Sequence, residues 1–296
     1  MLKFAAIGEC LIELTQIDTN QMALGYAGDT YNTAHYIAKN NKSLLVSYVT
    51  ALGQDSYSNA MLKQFQASNI DTSTCLQFED LNPGLYLVEN DDSGEREFHY
   101  YREQSAARQL FNHPNIRELE NKLTDYDYLF LSGITLAILD EHGRTKLLNL
   151  LKSAKQRGAK ILFDNNYRPR LWQTTQQPQA VFEEFHSIVD WLFVTFSDEQ
   201  ELYGDNSVED TLSRYKTLPL AIIKDGANPC LITSPSGIAK FKPCDVTRVI
   251  DTTGAGDAFN AGFLSHYIET QSLREAAEMG HQLAAQVIQH KGAIYL

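Results

Sequence analysis

The chain has 296 residues, is 43% hydrophobic and carries a formal net charge of −12. That content can bury a sizeable core, in one large domain or two smaller ones. No apolar run approaches the ~20 residues of a bilayer span, and the acidic balance argues against a basic groove for nucleic acid, so neither a membrane nor a nucleic acid is an expected partner. An anionic ligand would need local arginines. The four cysteines, Cys10, Cys75, Cys230 and Cys244, are scattered. No C-x-x-C pair exists, which removes zinc and thioredoxin-like readings. The opening "MLKFAAIGECLIEL" reads as a strand and not as a signal peptide, so reduced thiols in a cytoplasmic protein are expected.

Short, nearly continuous apolar runs at residues 4–7, 45–49, 128–131, 161–163, 191–194 and 221–223 predict strands buried on both faces, as in a parallel sheet covered by helices. Helical spacing appears between them. Residues 30–39 and 144–157 are the clearest cases. In the second, Leu147, Leu148, Leu150, Leu151 and Ala154 form a stripe, and Gly158 sits where a helix should stop. The alternation predicts an α/β fold, a doubly wound, mostly parallel sheet flanked by helices. Residues 83–103 break the rhythm with two β-like runs around "NDDSG", a hairpin signal. The hairpin carries Tyr86, Tyr100 and Tyr101. It would lie outside the main sheet, either as a lid over the strand ends or as an edge hairpin with no role.

Near the C-terminus the chain reads "DTTGAGDAFNAGF", residues 251–263. Gly254-Ala255-Gly256 lets successive backbone N–H groups converge, and the helix that follows adds its positive end. An anion would be held there. Asp257 would repel that anion, unless it takes the proton of an attacking hydroxyl while the turn stabilises the group being transferred. The alternative is a plain helix cap. A Walker A loop is excluded because no Gly-Lys pair occurs. A Rossmann fingerprint is excluded because Phe259 stands where its third glycine is required.

Asp251, Thr252, Gly254, Ala255, Gly256, Asp257 and Phe259 together match D-T-x-G-A-G-D-x-F. On these residues the chain resembles the ribokinase-like (PfkB-type) carbohydrate kinases. The resemblance implies one ribokinase-like domain over residues 1–296, with a small β lid mainly from about 10–18 and 73–104. It implies ATP as phosphoryl donor, Mg²⁺, Asp257 as base, residues 254–257 as anion hole, and Asp251 near the metal. In "AGDTYNTA", residues 27–34, Gly28, Asn32 and Ala34 fit the family's N-terminal signature, while Ala27 replaces its first glycine. Gly28, Asp29, Thr30, Tyr31 and Asn32 are then expected at the sugar. The family's N-x-x-E motif lacks its asparagine here. In "TFSDEQELYG" Thr195 and Asp198 fall at the two positions, and Asp198, Glu199 and Glu201 are the acids available to organise Mg²⁺.

"FDNNYRPRLW" exposes Asp164, Asn166 and Arg168 after a strand, at the end where open α/β sheets bind ligands. "YYRE" supplies Arg102. Two arginines are excessive for a neutral sugar and suit a carboxylate or phosphate. Within the family, the run "IGECLIEL", "GDTYNTA", "PGLY", "LSGITLAIL", "FDNNYRPRLW" and "VIDTTGAGDAF" resembles members that act on a small acidic keto-sugar. That places Tyr86, Tyr100, Tyr101, Arg102 and Arg168 at the substrate. Asn166, Tyr167, Arg168, Lys224, Asp225, Gly226, Ala227, Asn228 and Pro229 would join residues 254–257 at the nucleotide. "HKGAI" would close the adenine pocket or simply pack. The family also implies a homo-oligomer, a dimer or higher. A fructokinase or tagatose 6-phosphate kinase type, and a non-catalytic sugar-binding relic, are the alternatives.

Overall fold

A computed structural model describes residues 1–18, 20–90 and 96–295. In chain order its elements are β1 (Leu2–Ile7), β2 (Leu11–Asp18), β3 (Gln21–Ala27), α1 (Asp29–Asn40), β4 (Leu44–Leu52), α2 (Ser56–Ala67), β5 (Cys75–Gln77), β6 (Leu85–Asn90), β7 (Arg96–Tyr101), α3 (Ile116–Leu123), β8 (Tyr128–Ser132), α4 (Gly133–Ile138), α5 (Glu141–Gln156), β9 (Lys160–Asp164), α6 (Gln176–His186), β10 (Trp191–Thr195), α7 (Phe196–Tyr203), α8 (Val208–Tyr215), β11 (Leu220–Lys224), β12 (Cys230–Ser234), β13 (Gly237–Phe241), α9 (Ala255–Thr270) and α10 (Leu273–Val287).

Nine strands form the main sheet in the order β13-β12-β11-β10-β9-β8-β1-β4-β5. From β11 to β5 every pairing is parallel, whereas β12 and β13 add as antiparallel edge strands. The six strands expected from their apolar runs are the six central ones. Their alternation explains the pattern. Ala5, Ile7, Leu129, Leu131, Ile161 and Phe163 enter one core. Phe4, Ala6, Phe130 and Leu162 enter the other. A strand buried on both faces has no polar face to show. Chain order reverses between β1 and β8, which opens a crevice at the carboxyl ends of the strands. The helix read at 144–157 is α5, and Gly158 follows it at φ 104.

A second sheet, β3-β2-β6-β7, stands apart from the first. β6 and β7 form the expected antiparallel hairpin with Tyr86 opposite Tyr100, while residues 91–94 of the "NDDSG" turn lie outside the described residues. This sheet also takes in β3, which the expected lid segments omitted. Cys75–Gln77, assigned to the lid from sequence, pairs with β4 at the edge of the main sheet. Leu11, Ala27, Tyr86, Phe98 and Tyr100 face the crevice from the second sheet.

Candidate active site

The crevice is a cavity of about 620 Å³ at the carboxyl ends of β1, β9, β10 and β11, roofed by the second sheet. That volume lies within the range of small-molecule sites. Its floor is the turn that starts α9. Gly254 has φ 75, and a Cβ there would meet Ala293 Cβ at 2.8 Å. Both conditions demand glycine. The backbone then enters α9, where Ala255 N–H donates to Thr252 O at 3.1 Å and Ala258 N–H to Gly254 O at 2.8 Å, while Gly256 and Asp257 line the cavity at the positive end of the helix.

Asp257 stands in the first turn of α9. Its Oδ2 accepts a hydrogen bond from Asn32 Nδ2 at 2.8 Å. Its carboxyl is pushed up to about 7, first by burial and then by the nearby Asp29 and Asp164 charges, against the Asn32 hydrogen bond and Lys224. A carboxylate poised near neutrality is suited to take a proton at physiological pH.

Lys224, the last residue of β11, donates to Asp164 Oδ2 at 2.9 Å and to Asn260 Oδ1 at 3.1 Å. Asn260 lies one helical turn after Asp257 and donates to the same Asp164 oxygen. A Cβ on Gly256 would sit 3.5 Å from Lys224 Nζ, so the ammonium is beside the glycine turn. Asp29 opens α1 and accepts from Asn166 Nδ2 at 2.7 Å. Asn166 holds φ 32, unusual for a residue with a side chain. Such strain persists where neighbours over-determine it. Here Asp29 takes the side chain and Asp164 Oδ1 accepts from the backbone N–H at 3.2 Å.

The two arginines differ. Arg102 is buried and donates from Nε to Glu9 Oε2 at 2.8 Å, with Nη2 bonded to the same oxygen. Arg168 is half-exposed. Its Nη1 donates to Tyr167 O at 2.7 Å and lies 3.4 Å from Asp198 Oδ2. Burial pushes the Asp198 carboxyl up, partly countered by Arg168. Tyr86 donates its hydroxyl to Glu13, and its phenol is pushed up first by burial and then by that carboxylate.

Of the residues named from sequence, the cavity gathers Gly28, Asp29, Asn32, Tyr86, Tyr100, Arg102, Asn166, Arg168, Asp198, Lys224, Asp225, Gly226, Asn228 and residues 254–257. The others lie elsewhere for reasons of periodicity. On α1, Asp29 and Asn32 share one face. Thr30 instead meets the Tyr48 hydroxyl at 3.2 Å, and Tyr31 packs on Tyr48 and Phe65. Tyr101 is exposed on the face of β7 opposite Tyr100. Tyr167 is buried in the core, while Ala227 and Pro229 do not line the cavity. Asp251 lies behind the turn with both oxygens engaged, by Arg96, Thr253 and Gly292. Glu199 points away from the cavity, to Asn165 and Tyr215.

Glu9 was not legible as a site residue. Its signal was Gly28, where a Cβ would lie 2.1 Å from Glu9 O, so the two segments must touch.

A glycine turn at a helix start, a carboxyl held near neutrality, a lysine beside the turn and the amides of Asn32 and Asn166 share one cavity of a doubly wound α/β fold, the equipment that a phosphotransferase acting on an alcohol requires. The chain matches the description "pfkB family carbohydrate kinase" over residues 1–296. It belongs to that family. It is 43% identical over 99% of its length to 96% of a Haemophilus influenzae protein named 2-dehydro-3-deoxygluconokinase. It is 41% identical, with the same coverage of each, to a protein of that name from Escherichia coli K12. Among solved structures, a PfkB protein from Polaromonas sp. JS666 superposes with a TM-score of 0.85 at 23% identity, over 98% of this chain and 96% of that one.

Proposed function

We propose that this carbohydrate kinase transfers the γ-phosphoryl group of ATP to the terminal O6 hydroxyl of 2-keto-3-deoxy-D-gluconate. The observation that carries the reading is the shared cavity of Asp257 and Arg168, one suited to a reacting hydroxyl and the other to a carboxylate. The name carried by relatives at 41–43% identity over the whole chain supports the same substrate.

The sugar lies between α1 and the second sheet, with Gly28, Asp29, Asn32, Tyr86 and Tyr100 around its hydroxyls. Arg168 binds the carboxylate end. Asp257 removes the O6 proton as the O6–P bond forms and the bond from phosphorus to the ADP oxygen breaks. The backbone N–H groups of Gly254, Gly256 and Asp257 and the Lys224 ammonium receive the charge on the phosphoryl oxygens. Asp225, Gly226 and Asn228 border the nucleotide, and Ala293 closes its inner end. Among the described residues no group of three or more acids or histidines is assembled for a metal. Mg²⁺ keeps several waters and takes further oxygens from phosphates, so it needs only one or two carboxylates from a protein. Asp198 would hold it, and the ion would neutralise phosphate charge.

The outward face of the second sheet carries Leu14, Met22, Leu24, Leu85, Leu87 and Tyr101, with Leu24 and Tyr101 more than half exposed. We assign that apolar face to contact with a second copy, tested by solution mass before and after Leu24→Glu. No helix among the described residues is long and apolar enough to cross a membrane. The free cysteines suit the reducing cytoplasm.

The test is ADP release, with ATP and Mg²⁺, across 2-keto-3-deoxygluconate, fructose, ribose, adenosine and tagatose 6-phosphate. Turnover confined to the keto-deoxy acid is expected. Turnover on a neutral sugar alone would overturn the carboxylate clamp, and silence throughout would favour the non-catalytic relic.

A further inference from the structure

Asp251 collects donors from its own turn and from two distant parts of the chain. Its Oδ1 accepts from the backbone N–H of Thr253 at 3.0 Å and from the Thr253 hydroxyl at 2.7 Å. Its Oδ2 accepts from the backbone N–H of Gly292 at 2.6 Å and pairs with Arg96 Nη1 at 2.5 Å. The same Arg96 nitrogen lies 3.3 Å from the Thr253 hydroxyl. Thr253 immediately precedes the left-handed Gly254 that shapes the anion turn. Arg96 is the first residue of β7, the strand whose Phe98 and Tyr100 face the cavity. Arg96 itself does not line the cavity. One charged contact therefore joins a strand of the cavity's roof to the turn that forms its floor.

The contact is strong enough to matter. Asp251 is buried and Arg96 only about one-fifth exposed, so solvent screens the pair less than a surface pair. Hydrogen bonds between charged partners are roughly twice as strong as neutral ones. Other donors also hold the Asp251 carboxylate in place, so its Oδ2 presents a fixed target to the guanidinium.

We propose that Arg96 is a positioning residue that makes sugar and nucleotide binding cooperative: through Asp251 and Thr253 it ties β7 to the anion turn, so ordering the strand orders the turn. The inference rests on the reading that sugar sits beneath the second sheet and phosphate on the turn. Coupling of this kind is reciprocal. The factor by which sugar tightens nucleotide must equal the factor by which nucleotide tightens sugar.

The experiment is calorimetric titration of a nonhydrolysable ATP analogue with Mg²⁺, with and without saturating 2-keto-3-deoxygluconate, on wild type, Arg96→Met and Arg96→Lys. Binding of the keto-deoxy acid alone is measured first, so failure of the substrate assignment is recognised separately. Wild type should show sugar tightening the analogue by about 5- to 100-fold, the common range for coupled sites. Arg96→Met should bring that factor close to one, while thermal melting verifies that the variant is folded. Arg96→Lys, which keeps a charge, should restore part of it. Absence of coupling in wild type, or equal coupling in Arg96→Met, overturns the proposal. So does a loss of analogue affinity that is the same with and without sugar, since that marks Arg96 as a direct phosphate contact.

Discussion

Arg102 and Glu9 form a buried ion pair at the edge of the cavity, with two guanidinium nitrogens on one carboxylate oxygen. The second oxygen, Oε1, is buried and has no hydrogen-bond partner among the described residues. Arg102 thus offers a placed donor set whose charge is already matched. Arg168 keeps half of its side chain exposed, with a 2.7 Å hydrogen bond to Tyr167 O and a 3.4 Å contact to Asp198. The two arginines that the sequence presents as a pair have different tasks.

Arg168→Ala should raise the KM for the acidic sugar by about 10- to 100-fold, the worth of one charged hydrogen bond, with little change in kcat. Steady-state kinetics on 2-keto-3-deoxygluconate decide this, and an unchanged KM removes Arg168 from the carboxylate. Arg102→Ala should instead destabilise the fold by roughly 3–5 kcal/mol, because it leaves Glu9 buried and unpaired. Glu9→Gln with Arg102→Met should recover much of that loss, measured by chemical denaturation.

The parts of the structure that sequence made legible share a cause. Strands buried on both faces, such as β8 and β9, leave continuous apolar runs. Strands β3 and β13 have mostly exposed side chains, and β5 is three residues long, so none carries such a run. In the site, the glycine turn is visible because backbone geometry forces glycine at 254. Partnerships across the chain are not visible. Glu9 and Arg102 are 93 residues apart, and Lys224 lies 60 from Asp164. Nothing local marks such pairs, because the topology brings them together. The same holds for face. "YYRE" shows two tyrosines and only the pleat of β7 decides that Tyr100 meets the cavity and Tyr101 the solvent.

Asp257 makes two predictions that must hold together. As a base it must be ionised, and its carboxyl is pushed up to about 7. The kcat/KM for sugar should therefore fall with falling pH below about 7. Asp257→Asn should lower kcat by about 10²- to 10⁴-fold. The folded-state value lies above the ordinary 3.8, so Asp257 costs the folded state progressively more as pH rises between those two values, and a constant amount above about 7, where it is ionised folded or unfolded. Asp257→Asn, neutral throughout, should melt at or above the wild-type temperature at pH 8, and its advantage should shrink toward pH 5. An inactive variant that also melts lower at pH 8 would point to a structural defect in place of a lost base.

Glu199 supplies the control for that argument. It too is buried, and its carboxyl is pushed up to about 7 by desolvation, with hydrogen bonds from Asn165 and Tyr215 acting the other way. Asn165 Nδ2 and the Tyr215 hydroxyl each donate to it at 2.7 Å. His186 Nε2 meets Asn165 Oδ1 at 2.8 Å, and burial pulls that imidazole down to about 3, so the ring is neutral at physiological pH. This cluster sits directly behind the strained Asn166 and holds the segment that carries Arg168. Glu199→Gln should share the pH-dependent gain in melting temperature expected of Asp257→Asn, yet keep turnover near wild type, because Glu199 does not face the cavity. Glu199→Ala should unpair Asn165 and Tyr215, at about 1–3 kcal/mol for each buried group left unsatisfied. It should also raise the KM for sugar more than it lowers kcat, as the Asn166 and Arg168 segment loosens. Melting curves and steady-state kinetics on the two variants separate these effects. A loss of kcat in Glu199→Gln as large as that in Asp257→Asn would show that buried carboxylates near this cavity lower turnover when neutralised whatever their place, and the assignment of Asp257 as base would lose its kinetic support.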